Sequence, residues 1–329
     1  MKNAAVSLLL LAALVIVGCG SSSSSSSSSS ATGASNSAAS STASATPAAA
    51  AGGGCPHRPI RFAVEPYDSG PTLEKAYTSL TAAIQTNLGC PVQLIISNSY
   101  VAEIEAMRGD QLELGEFGPL GYVLAHQIAH AQPLAAFGDA HGKPVTYTAG
   151  IWVPKSSPIT TVAQLRGKTL ALSSTTSTSG ALYPVYALVQ AGFKCHQVAS
   201  CDGVTIKYAG GHPESMLALV HGTVDAAEVN SQQQSSAEAA HQFDPGKFRE
   251  IWKSAPIEND PITVRGDLPA AFQQRVAQAI LKLTPAQIKS VDVELGTGAV
   301  GPMVPAANSL YGGISALAQK EGLSVKNLG

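Results

Sequence analysis

Between residues 60 and 252, short apolar runs alternate with longer stretches that are apolar on one side only, and turn residues separate them. Residues 60–64 form one such run. Over 72–88 the residues Leu73, Ala76, Tyr77, Leu80, Ile84 and Leu88 fall at helical spacing, and Gly89 stops the stripe. The pattern predicts further strands over 92–96, 112–117, 134–137, 147–153, 169–172, 204–208, 224–229 and 250–252. Between them it predicts helices over 100–108, 119–129, 161–166, 181–191, 213–221 and 232–240. A chain that keeps returning to a strand after a helix builds parallel sheets with helices on both faces. Amphipathic stretches over 270–283 and 308–321, with no clear strand between them, read as helices packing back onto the earlier elements. Hydrophobic residues at 45% against 13% charged supply a large core for one or two domains in 329 residues. A net charge of −2 gives no reason to expect nucleic acid or a strongly anionic surface as partner.

The first 18 residues stand outside this pattern. Lys2 gives a short positive start, and residues 7–17 are an apolar stretch too short to span a bilayer. It ends Ile16-Val17-Gly18-Cys19. A small residue directly before Cys at this place resembles a bacterial lipobox, which implies cleavage before Cys19 and lipidation of that residue. An ordinary secretory signal with a chance Cys is the alternative. Residues 20–54 are low in complexity, with unbroken Ser over 21–30. Such a segment buries no apolar area and reads as a flexible tether. Anchor and tether together imply a globular head working at the outer face of a membrane.

Cys19 set apart, four cysteines remain: Cys55, Cys90, Cys195 and Cys201. An even number in an exported chain points to disulfides, and three pairings are open. Cys195 and Cys201 bracket a short loop after a helix end, so local pairing is simplest. Cys55 and Cys90 precede the first and second strands, and adjacent strand starts would bring them together. A metal site is the alternative, but neither pair has the two-residue spacing of zinc ligands.

The stretch Ser173-Ser174-Thr175-Thr176-Ser177-Thr178-Ser179-Gly180 lies between a predicted strand and a predicted helix. Hydroxyl residues there are N-cap candidates, and the first N–H groups of a helix lack internal partners. Small hydroxyl side chains let an anion approach those N–H groups and add O–H donors of their own. A polar loop with an ordinary N-cap is the plainer reading. Open α/β sheets bind ligands beyond the carboxyl ends of their strands. That rule singles out Tyr100, Tyr147, Ser177, Thr178, Ser179, His212 in Ala209-Gly210-Gly211-His212-Pro213, and Asp260 before Pro261. Taken singly, Tyr100 is equally a core aromatic, His212 a helix cap and Asp260 a turn former.

Several runs, in order, resemble the substrate-binding lipoproteins of phosphate, phosphite and phosphonate ABC importers, a PhnD-type group of type II periplasmic binding proteins. They are Ser97-Asn98-Ser99-Tyr100 with Met107-Arg108-Gly109, Phe117-Gly118-Pro119-Leu120, and Ser177-Thr178-Ser179-Gly180 with Pro184. Tyr208-Ala209-Gly210-Gly211-His212 with 222–227, and Ile251-Trp252-Lys253-Ser254 with Asp260-Pro261-Ile262, complete the set. After Thr284 the likeness is thin. The resemblance implies that Tyr100, Tyr147, Ser177, Thr178, Ser179, His212 and Asp260 contact a phosphorus group. Hydroxyls and helix N–H groups would hold its oxygens, His212 would donate to another, and Asp260 would accept from a protonated one. Members that take aminoalkyl phosphonates place a carboxylate where register puts Gln232, so phosphite, phosphate or a small alkylphosphonate is the better fit.

The expected fold is therefore α/β, of the type II periplasmic-binding-protein kind: two α/β domains, a double-crossover hinge and a ligand cleft between them. The expected boundaries are a signal peptide over 1–18, a lipidated tether over 19–55, domain 1 over 56–147 and 254–329, and domain 2 over 148–253. The expected role is capture of a small phosphorus oxyanion and delivery to an ABC permease, by a monomer lipid-anchored at Cys19 in the bacterial envelope. No cofactor, metal, nucleic acid or catalytic residue enters this reading. A ligand-sensing lipoprotein docking to a membrane receptor and a serine-nucleophile hydrolase are the alternatives. The second lacks a Gly-x-Ser-x-Gly or Ser-x-x-Lys motif.

Overall fold

Ile60, Phe62 and Val64 pack into one apolar cluster while Ala63 faces another, the two-residue period of a strand covered on both sides. The computed structural model describes residues 54–68, 71–298 and 301–323. The signal stretch, Cys19 and nearly all of the tether lie outside the described residues. Among the described residues no helix is long and apolar enough to cross a membrane.

In chain order the first elements are β1 (Ile60–Val64), α1 (Pro71–Leu88), β2 (Val92–Ile96), α2 (Tyr100–Arg108), β3 (Leu114–Glu116), α3 (Pro119–Ala129) and β4 (Gln132–Phe137). Then come β5 (Thr146–Tyr147), β6 (Gly150–Pro154), β7 (Thr169–Leu172), α4 (Tyr183–Gln190), β8 (Cys195–His196), β9 (Ser200–Cys201), β10 (Thr205–Tyr208) and α5 (His212–Val220). The rest are β11 (Ala226–Glu228), α6 (Ser231–Ala239), β12 (Phe248–Lys253), β13 (Ile257–Glu258), β14 (Ile262–Val264), α7 (Ala270–Leu281), α8 (Pro285–Leu295), β15 (Met303–Pro305) and α9 (Gly312–Lys320).

The strands form a six-stranded sheet, ordered β15-β4-β14-β3-β1-β2, and a five-stranded sheet, ordered β10-β7-β11-β6-β12. The chain passes from the first sheet to the second through β5 and returns through β13. These two short strands pair side by side, Tyr147 opposite Ile257 and Thr146 opposite Glu258. Leu73, Tyr77, Leu80 and Ile84 of α1, Phe272 and Val276 of α7, and Ile288 and Val291 of α8 cover one face of the first sheet. In β7 the faces alternate: Leu170 and Leu172 join the cluster containing α4, and Ala171 joins the one containing Met216 and Leu219 of α5.

Four features depart from the sequence reading. Both sheets are mixed rather than parallel. β14 runs antiparallel to β3 and β4, and β6 antiparallel to β11 and β12. These strands are reached through the crossing ribbon, with no helix to turn the chain around. The predicted strand over 147–153 is divided, because Tyr147 belongs to the ribbon and the second sheet begins at Gly150. The late region holds α8 and β15 between the two predicted helices, and the stretch from 308 opens with a single 3-10 turn over Asn308–Tyr311. The segment from 161 is likewise one 3-10 turn, Val162–Leu165. Both disulfides join the expected partners, Cys55 to Cys90 and Cys195 to Cys201. The first follows from β1 and β2 being neighbours, with Ile60 opposite Val92.

Candidate ligand-binding site

On the second sheet, β7 ends at Leu172 and the hydroxyl run carries the chain into one π turn, Thr178–Leu182, before α4. Ser177 caps it, its Oγ accepting the Gly180 N–H at 3.1 Å. The Leu182 N–H reaches back five residues to Ser177 O at 3.1 Å. Such single π turns widen a helix start and recur at functional sites. Gly180 is required, since a Cβ there would stand 1.7 Å from Ser173 Oγ. Beyond β10, Gly210 at φ +98 turns the chain so that His212 becomes the first residue of α5. Beyond β11, Asn230 caps α6, accepting the N–H groups of Gln232 and Gln233 at 2.9 Å each.

The first sheet brings up its own helix starts. Ser99 caps α2 through the Ala102 N–H at 3.1 Å, which sets Tyr100 at the first helical position. Gly118 caps α3, and its N–H donates to Glu65 Oε2 at 2.8 Å. Two residues on, the Leu120 N–H of α3 donates to Thr178 Oγ1 at 2.8 Å, a buried bond between segments of the two sheets. Asp260 lies between β13 and β14, beside the crossing ribbon.

Tyr100, Tyr147, Ser177, Thr178, Ser179, His212, Gln232 and Asp260 all line one cavity of about 40 Å³. A water needs roughly 10–15 Å³ measured this way, so the space suits a few waters or one small ligand. The sequence reading missed other lining residues: Glu65, Tyr67, Asp68, Gly118, Asn230, Gln233, Ser236, Glu294 and Leu295. Glu65 and Asn230 follow the same strand-end rule and could have been found by it. Glu294 belongs to α8, an element that reading did not contain. No Lys or Arg is among the lining residues. Among the described residues no group of three His, Cys, Asp or Glu is placed to hold a metal.

The cavity's charge rests on a few buried groups. His212 Nδ1 lies 2.8 Å from Glu228 Oε1, and its Nε2 lies 3.4 Å from Ser177 Oγ. Burial pulls the imidazole's pKa down. The charge and hydrogen bond of Glu228 outweigh it, helped by Asp260 and Asp68, so the net shift is upward. Burial pushes Asp260 up to about 7, with the His212 charge working the other way. Burial also holds the Glu65 carboxyl well above its ordinary range, and the Glu103 charge adds to that. The phenols of Tyr100 and Tyr147 are raised mainly by burial, so both are neutral O–H groups. The site therefore offers hydroxyl donors, one imidazole and a carboxyl that shares its proton near neutrality.

Such a donor set is suited to a small tetrahedral oxyanion. Residues 62–309 match the model of the family described as "ABC transporter, phosphonate, periplasmic substrate-binding protein". The chain belongs to that family. It is 28% identical over 203 residues to the phosphate-import protein PhnD of Mycolicibacterium smegmatis, covering 60% of this chain and 63% of the relative. It is 26% identical over 221 residues to the phosphonates-binding periplasmic protein of Escherichia coli, covering 66% and 64%. The matched stretch is thus under two thirds of each relative's length. In fold it is similar to PhnD1 of Prochlorococcus marinus in complex with methylphosphonate, with TM-score 0.68 and 20% identity over 80% of this chain and 98% of that one. The fold is that of the type II periplasmic binding proteins. These relatives are transport binding proteins rather than enzymes, and the hydrolase reading is set aside on that ground.

Proposed function

We propose that this chain is an extracytoplasmic binding lipoprotein that captures a small phosphorus oxyanion and hands it to an ABC permease. The observation that carries this is the meeting of all eight expected side chains in one small cavity without Lys or Arg. In this reading Ser177, Thr178, Ser179, Tyr100 and Tyr147 donate to the oxygens, and His212 supplies the positive charge. Asp260 then accepts a proton from a P–OH group or shares one with it. Family membership and the names of the relatives support the ligand class and the transporter.

The working units are a first lobe over 56–147 and 254–329 and a second over 148–253, with the β5–β13 ribbon as the hinge between them. In this reading the closed form is the one seen here, with Thr178 Oγ1 accepting the Leu120 N–H at the start of α3. Cys19 carries the lipid and 20–54 the tether, and the head acts as a monomer. Gln232, a neutral amide at the position where members that take aminoalkyl phosphonates carry a carboxylate, is the reason for preferring phosphite, phosphate or a small alkylphosphonate over an ammonium-bearing one. Calorimetric titration with phosphite, phosphate, methylphosphonate and aminoethylphosphonate tests this. One of the first three should bind more tightly than the last. Tightest binding by aminoethylphosphonate would overturn the ligand choice.

A further inference from the structure

We propose that Glu228, which does not line the cavity, is the positioning residue that makes His212 the cavity's fixed positive charge. Glu228 ends β11 and is fully buried. Its Oε1 sits 2.8 Å from His212 Nδ1, and its Oε2 has no hydrogen-bond partner. Ser215 of α5 fixes the register between the two elements, its Oγ donating to Ala171 O at 3.1 Å and lying 3.3 Å from Glu228 O. Asn230 Nδ2 lies 3.3 Å from the same imidazole nitrogen and 3.4 Å from Ser179 Oγ. The shorter, charge-assisted contact to Glu228 claims the Nδ1 proton.

Without Glu228, two effects would keep His212 neutral. The His212 side chain is only 8% exposed, and burial disfavours the charged form. It is also the first residue of α5, the end of a helix that carries partial positive charge. Asp260 and Asp68 face it from other elements, and both favour the cation. Glu228 alone makes a hydrogen bond to the ring that fixes Nδ1 as donor, so the second N–H at Nε2 is aimed toward Ser177 and the cradle. The anion then meets one oriented imidazolium, and the protein supplies the countercharge from behind. This rests on the functional reading above, but the pair can be tested without it.

NMR titration of the ligand-free protein should show His212 losing its proton above the ordinary histidine value of about 6.5. In Glu228→Gln, a change that preserves shape, that midpoint should fall below it. A wild-type midpoint below the ordinary value overturns the proposal even where the variant does not fold. Calorimetry with whichever phosphorus oxyanion the wild type binds supplies the second readout. At about pH 7.5, Glu228→Gln should weaken binding roughly ten- to a hundredfold, and the deficit should shrink toward about pH 5.5 as His212 protonates unaided. In a His212→Gln background, Glu228→Gln should add little. A deficit that is equal at every pH, or that persists in that background, contradicts the positioning role. If the wild type binds no phosphorus oxyanion, the functional reading fails, and the NMR result still decides the pair.

Discussion

Ser177 Oγ accepts the Gly180 N–H and Thr178 Oγ1 accepts the Leu120 N–H, yet each hydroxyl keeps its proton to donate. The plain reading of the hydroxyl run as an N-cap and the reading of it as a cradle are thus compatible, since capping uses a lone pair and donation uses the hydrogen. Both side chains are buried, so their loss touches the fold as well. Ser177→Ala should weaken ligand binding by about ten- to a hundredfold and lower stability by about 1 kcal/mol through the lost cap. Thr178→Ala should cost binding similarly and stability by about 1–3 kcal/mol, because a buried N–H of α3 loses its acceptor. Calorimetry and thermal unfolding of each variant separate the two effects. At Gln232 the expectation is a change of sign rather than of size. Asp68 and Glu294 already line that cavity, so Gln232→Glu adds a further negative charge. Phosphite should bind it less tightly, and aminoethylphosphonate should gain relative to phosphite. Equal weakening of both ligands in calorimetry would count against Gln232 facing the ligand's substituent.

Among the elements, the two disulfides close loops of very different length, with sequence separations of 35 and 6. On chain-entropy grounds the longer loop contributes about 4 kcal/mol and the shorter about 2. A Cys55→Ser/Cys90→Ser double variant should therefore unfold at lower denaturant than Cys195→Ser/Cys201→Ser, and equal midpoints would contradict that. Both pairings could be read from sequence because each cysteine sits at an element boundary that periodicity marks. α1 and β2 were equally legible, with a six-residue stripe and an apolar run broken only by Gln93. β14 and β15 were not, since three residues are too few to show alternation. α8 carries its own sequence signals: Thr284 and Gln287 form a capping box, Pro285 opens the helix, and Gly296 closes it at φ +63. Glu294 and Leu295 reach the site only through that helix. Most of the site residues that were found share one rule, a place at the carboxyl end of a strand or at a helix start, while Tyr147 and Asp260 belong to or adjoin the crossing ribbon. Glu228 was assigned to a strand, and only its side-chain direction toward His212 makes it matter.

For the whole molecule, the buried carboxyls set how stability depends on pH. Burial raises Asp260 from 3.8 to about 7 and Glu116 from 4.5 to about 8. The folded protein then holds more protons than the unfolded chain between those values, so stability falls as pH rises through them. His212, raised on balance, acts in the same sense: its contribution is present in acid and lost as pH rises through its folded pKa. Glu113 acts oppositely. Burial works to raise it, but the Arg61 bonds hold it below 4.5, and its contribution is lost only as pH falls through that lowered value. The ligand-free protein should thus melt higher at about pH 5.5 than at about pH 8.5. A melting temperature that rises across that window would contradict the buried-acid account. The central claim is that the cavity recognises a phosphorus oxyanion through neutral donors, His212 and a proton-sharing Asp260. Sulfate is the sharpest comparison, being tetrahedral and anionic but without a proton at neutral pH to offer Asp260. The decisive measurement is calorimetric titration of the wild-type protein near neutral pH with phosphite, phosphate and methylphosphonate, each against sulfate. The account predicts that at least one phosphorus oxyanion binds well ahead of sulfate. Binding of sulfate as tight as that of the best phosphorus ligand, or binding of none of the three, would contradict it.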